Sequence, residues 1–202
     1  MLAILSIIIL IFSVILHEVA HGFMADRLGD PTARLAGRLT LNPLKHIDPI
    51  GSIVMPIITY MAGFTFGWAK PVPYNPYNLR HKRRGELLIA LAGPVSNLSI
   101  AVIFGLLIRC LASSSILSPA FLTITSYIII INIVLAVFNL IPLPPLDGSK
   151  IIFSLLPNQY GQLRMTLEQY APFFIFVVVF FVWKLISPLV SIVFGLITGI
   201  SV

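Results

Sequence analysis

Two histidines and a glutamate stand at positions 17, 18 and 21, in "VILHEVAHGF", at the end of an apolar run that begins "MLAILSIIIL". His17 and His21 are four residues apart, so on a helix they share one face with Cβ atoms about 5–6 Å apart. That places two imidazoles on one metal ion, with Glu18 projecting from the adjacent position. In an H-E-x-x-H helix the histidines bind zinc and the glutamate is the general base toward water. Ionisable side chains inside membrane helices are rare, and by default they signal function. A dication shared by two neutral imidazoles offsets the cost of placing them there.

A catalytic zinc takes three protein ligands and keeps one position open. The third ligand lies among His46, His81, Asp26, Asp30, Asp48, Asp147, Glu86 and Glu168. Asp147 stands out by its setting, "FNLIPLPPLDGSK", where Pro142, Pro144 and Pro145 break the end of a long apolar stretch. Gly148 then permits tight or left-handed backbone geometry. D-G is also a common turn dipeptide, so the assignment of Asp147 rests on its pairing with the histidines at matching depth. His17–His21 lie about 25 Å along their helix at about 1.5 Å per residue.

The elements that position these residues follow from composition. The chain has 202 residues, of which 58% are hydrophobic and 10% charged, against roughly a quarter charged in soluble domains. A soluble protein of this size has no room to hide so much apolar surface. The reading is an all-α polytopic membrane protein forming one integral membrane domain over residues 1–202. A span needs about 20 apolar residues. Spans are expected over about 2–24, 86–111, 120–142 and 170–187, the last followed by a short apolar tail beyond Lys184 and Pro188. The first run is not a cleaved signal peptide, because it lacks a basic n-region and cleavage would sever the histidine motif.

The net charge of +6 and the cluster "RHKRR" at 80–84 suit membrane topology better than nucleic acid, because basic residues beside spans mark the cytoplasmic face. Residues 25–49 and 68–85 are basic and the loop 112–119 is not. The N-terminus is therefore expected outside, and the first helix runs inward through the cell membrane. Both motif clusters then fall toward the cytoplasmic side. Arg109, near the outer end of its helix, is the exception and is expected to snorkel to the interface. The segment 50–67, interrupted by Pro56, Gly63 and Gly67, is expected to be a membrane-embedded, re-entrant or broken segment, which requires packing within protein or a wet cavity to line. In "GRLTLNP", Gly37, Leu39 and Leu41 alternate with Arg38 and Thr40, the period of a short strand able to pair with an extended peptide. Cys110 is the single cysteine, which excludes an intramolecular disulfide and a cysteine-rich metal site.

Taken together, His17, Glu18 and His21, then Asn139, Pro142, Pro144, Leu146, Asp147 and Gly148, resemble the site-2 protease family of intramembrane zinc metalloproteases. "LAGPVSN" at 91–97 resembles that family's middle-helix signature, and "GRLTLNPLKHIDPIG" and "GWAKPVPYNPYNLR" resemble its linking segments. The resemblance covers nearly the whole chain, without a PDZ or CBS domain. It implies a three-helix catalytic core with a C-terminal helix, Zn2+ held by His17, His21 and Asp147, and Glu18 activating water. It implies that Asn139 contacts substrate; an interhelical hydrogen bond is the other reading of that residue. Expected partners are transmembrane protein substrates and the lipid bilayer, with no nucleic acid. Gly93 and Asn97 are read as helix-packing residues, and His46 as interfacial. Two rivals are an inactive zinc-binding scaffold or chaperone for client helices, and a small transporter. Retained Glu18 argues against the first, and the lack of internal symmetry against the second.

Overall fold

The structure is a computed structural model that describes residues 2–61, 68–111, 118–157, 160–171, 173–174 and 183–200. Among the described residues three helices are long and apolar enough to cross a membrane: α1 (Leu2–Arg27), α4 (Lys82–Leu111) and α5 (Pro119–Asn139). Between α1 and α4 lie the short α2 (Thr32–Leu35) and α3 (Met55–Met61). Beyond α5 follow α6 (Asp147–Leu155), α7 (Gly161–Gln169) and α8 (Trp183–Thr198). On α1, Ile4, Ile7, Ile8, Ile11 and Phe12 are exposed, as befits a surface solvated by lipid rather than water. This is an all-α membrane protein.

Lipid tails are as apolar as leucine, so helix association here depends on close packing and interhelical hydrogen bonds. Helix α4 is the hub and packs against α1, α5, α6 and α8. At one end of the bundle Ala101 and Ile108 of α4, Ile129 and Ile133 of α5, and Ile186, Val190 and Phe194 of α8 form an apolar core. Gly105 permits it: a Cβ there would lie 2.0 Å from Ile197 Cγ2. Arg109 Nη2 donates to the Leu196 carbonyl at 2.6 Å, in the last turn of α8.

The end of the chain differs from expectation. Helix α8 runs through Pro188 to Thr198 rather than stopping near 187. Pro188 lies inside this helix, where it supplies no N–H to the helical ladder. Residues 175–182 of the expected fourth span lie outside the described residues.

Residues 37–41 are not a strand, and among the described residues there is none. Gly37 has φ +63° and closes α2: its N–H donates to Arg34 O at 3.0 Å, and Arg38 N–H donates to Ala33 O at 2.9 Å. This is a helix C-cap built on a left-handed glycine, and it breaks the alternation at its first residue.

The segment expected to be re-entrant begins as a π-helical turn over Pro49–Val54, capped by the Asp48 carboxylate, and continues as α3. Residues 62–67 lie outside the described residues. The two ends of the excursion meet. Trp68 N–H donates to Gly51 O at 3.0 Å, Ser52 Oγ donates to Trp68 O at 2.9 Å, and the indole lies where a Gly51 side chain would be.

Candidate metal centre

His17 and His21 are buried on the face of α1 that packs against α4. Asp147, the first residue of α6, completes a triangle with them. His17 Nε2 is 3.1 Å and His21 Nε2 3.0 Å from Asp147 Oδ2, and the two Nε2 atoms are 3.0 Å apart. Among the described residues this is the one cluster of His, Cys, Asp or Glu able to hold a metal.

The partners on the far side of each ring decide what the triangle means. His21 Nδ1 lies 2.6 Å from the Ile89 carbonyl, an acceptor, so Nδ1 carries the proton. His17 Nδ1 lies 2.6 Å from Asn97 Oδ1. That atom is the amide oxygen because Asn97 Nδ2 already faces two acceptors, Asn132 Oδ1 at 2.8 Å and Ser13 O at 3.3 Å. In the neutral form, the form that binds a metal, each ring therefore points an Nε2 lone pair at a carboxylate oxygen. Three acceptors facing one another at 3 Å repel unless a cation lies between them. The spacing suits one ion bonded to each at about 2.0–2.2 Å, the zinc distances. The residues fit the metal.

Gly93 and Gly148 make the convergence possible. A Cβ on Gly93 would lie 2.4 Å from His21 Nε2 and 2.5 Å from His17 Cε1, so α4 can pass the imidazoles only at a residue without a side chain. A Cβ on Gly148 would lie 2.3 Å from both the Leu140 and Ile141 carbonyl oxygens. Close approach, not left-handed geometry, is what Gly148 supplies, since the positive-φ glycines are Gly29, Gly37 and Gly199. It lets α6 fold back on the end of α5 and aim Asp147 sideways. Lys150 Nζ lies 3.3 Å from Asp147 Oδ1, satisfying the carboxylate's other oxygen.

The packing role read for Asn97 needs correction. This residue is fully buried and orients His17, and Asn132 supports it, with Asn132 Nδ2 donating to Ser13 Oγ at 3.0 Å. Such outer partners fix the tautomer of a metal-binding histidine. Asn132 escaped the sequence reading, although a lone amide in "IIIINIV" is the same signal that singled out the histidines.

Glu18 sits beside the triangle on α1, and its Oε2 accepts the Val72 N–H at 2.8 Å. Asn139 is not drawn into the cluster; its Nδ2 donates to the Leu135 carbonyl of its own helix at 2.9 Å. His46 is buried, with Nε2 2.8 Å from the Thr40 carbonyl. The other acidic candidates are engaged elsewhere. Asp26 pairs with Arg34, and Glu86 and Glu168 with Arg164. Asp48 caps a turn, Asp30 binds the linking segment, and His81 is exposed at the start of α4.

Comparison with known proteins gives the same chemistry. The family model described as Peptidase family M50 matches residues 111–183. YwhC of Bacillus subtilis, named a candidate zinc metalloprotease, is 44% identical over 86% of this chain and 78% of its own length. Rip2 of Mycolicibacterium smegmatis, also named a candidate zinc metalloprotease, is 32% identical over 68% of this chain, which spans about half of it (52%). MJ0392 of Methanocaldococcus jannaschii, named a zinc metalloprotease, is 26% identical over 79% of this chain and 36% of its own length. No solved structure matches the chain.

Proposed function

The chain belongs to peptidase family M50 and is a zinc metalloprotease, and from that premise we propose that it hydrolyses peptide bonds within or near the transmembrane helices of other membrane proteins. The observation that carries this reading is depth: His17 and His21 lie on a helix apolar enough to cross a bilayer, so the triangle with Asp147 and the adjacent Glu18 are reached from the membrane. The basic stretches flanking the spans favour an active site toward the cytoplasmic side of the cell membrane. The whole chain acts as one membrane domain, with the bilayer and single-span substrates as its partners.

His17 Nε2, His21 Nε2 and Asp147 Oδ2 would hold the zinc, which when bound supplies a Lewis acid that polarises the scissile carbonyl and acidifies water. The chain's own residues do the rest. Glu18 takes a proton from the attacking water on its carboxylate and returns it to the leaving amine. Asn97 and Ile89 keep the imidazoles in the tautomer that presents Nε2. Asn139, at the end of α5, would exchange its bond to the Leu135 carbonyl for the backbone of an extended substrate, since an amide both donates and accepts.

The test is Glu18→Gln in the full chain, purified, zinc-loaded and reconstituted with a tagged single-span substrate. Cleavage should fall by about 10²–10⁴, the usual contribution of a general base, while zinc content stays at the wild-type level. Cleavage at the wild-type rate, or cleavage indifferent to a chelator, sinks the reading.

A further inference from the structure

The segment Lys70–Tyr74, "KPVPY", crosses α1 directly over Glu18. Gly22 gives it room, since a Cβ there would lie 2.6 Å from Val72 Cγ1 and 2.7 Å from Leu39 Cδ2. Proline has no N–H and holds φ near −65°, and the residue before a proline is pushed to extended geometry. Pro71 and Pro73 therefore leave Val72 as the sole N–H donor between Lys70 and Tyr74, on a stretch stiffened from both sides. That one donor points at Glu18 Oε2, 2.8 Å away.

Both ends of the strap are pinned. Lys70 O accepts Arg38 Nη2 at 2.7 Å, and Lys70 N–H donates to His46 O at 2.9 Å. Two residues beyond Pro73, Asn75 N–H donates to Asp30 Oδ2 at 2.6 Å. Asp30 itself is fully buried. Its Oδ1 accepts from Thr32 N at 3.2 Å, Thr32 Oγ at 2.5 Å and Asn78 Nδ2 at 2.8 Å.

We propose that the Val72 N–H is the positioning group for Glu18, fixing one carboxylate oxygen so that the other meets the attacking water, and that Asp30 is the anchor that holds the strap in register. A glutamate side chain has three rotatable bonds, and proton transfer needs one arrangement of them. A hydrogen bond to an ionised acceptor is among the stronger ones a backbone N–H can make. Neither Val72 nor Asp30 touches substrate; each acts through Glu18. The inference rests on Glu18 being the base.

Val72→Pro removes the N–H in a run that becomes Pro-Pro-Pro and stays extended, whereas Val72→Ala keeps it while also losing the valine side chain. In the reconstituted full chain, kcat of Val72→Pro should lie about 10- to 100-fold below that of Val72→Ala, the scale of an outer-partner loss, at equal zinc content and similar KM. Equal kcat in the two variants overturns the inference. So does zinc loss confined to Val72→Pro, which would make the strap a support for the metal helix. A second readout needs no turnover: in chain labelled with 15N-valine, the Val72 amide proton, identified by its absence in Val72→Ala, should move upfield in Glu18→Gln. An unmoved resonance overturns the contact on its own. A wild-type chain that cleaves nothing sinks the protease reading instead, and is told apart by that shift.

Discussion

Asp30 and Asp147 are both buried carboxylates, 0% and 5% exposed, each close to a helix end, yet their surroundings differ in kind. Around Asp30 every neighbour is a donor: two N–H groups, a hydroxyl and an amide NH2. It is satisfied without any ion. Around Asp147 Oδ2 both neighbours are ring nitrogens whose protons are committed to the opposite side. Burial does not separate a structural carboxylate from a metal ligand; the donor or acceptor character of what faces it does. The same contrast assigns roles to two junctions of the fold, one that anchors a strap and one that holds an ion.

The largest test of that contrast exchanges the two sites' fates. Asp147→Ala should lower zinc from stoichiometric to background by atomic absorption and abolish cleavage, whereas Asp30→Asn should keep its zinc. Retained zinc in Asp147→Ala would break the comparison. Next in size is Asn97→Ala, which frees His17 to rotate and should weaken zinc affinity by about 10- to 100-fold, read by competition with a chromophoric chelator. Asp30→Asn sets an NH2 against the Asn75 N–H and should lower folding stability by about 1–3 kcal/mol, the cost of an unsatisfied buried group, measured by thermal unfolding in detergent.

The smallest effect is one of pH. Burial raises the Asp30 carboxyl pKa, but hydrogen bonds from Thr32, Asn78 and Asn75 outweigh it and hold the group below its ordinary 3.8. A folded-state value lower than the unfolded one means that the unfolded chain binds the proton more readily. The stabilisation is thus complete well above pH 3.8 and is lost as pH falls through the folded value. The stability gap between wild type and Asp30→Asn, measured with chelator present, should shrink below about pH 4. A gap constant from neutral pH to pH 3 would show that the donors do not favour the ionised form.

Much of this was legible beforehand, for a local reason. The spacing of His17 and His21, the apolar lengths of α1, α4 and α5, and the broken helix before Asp147 are properties of short windows, set by helical geometry and by proline. What misled was also local: Gly37, Leu39 and Leu41 alternate like a strand, but Gly37 is a helix cap. What stayed hidden were contacts across the chain. Glu18 and Val72 are 54 residues apart, His17 and Asn97 80 apart, and nothing in either window names the other.

By itself, then, the sequence determined that this chain lies in a membrane, that one of its helices presents two imidazoles and a carboxylate, and that a second carboxylate waits at a proline-broken end. Those follow from hydropathy and from backbone periodicity. Only the tertiary structure decided which nitrogen of each ring faces the Asp147 carboxylate, which side chains hold those rings, and which main-chain N–H holds Glu18. Those choices depend on Gly22, Gly93 and Gly148 letting distant backbones approach within contact distance, and a close approach between two segments belongs to neither of them alone.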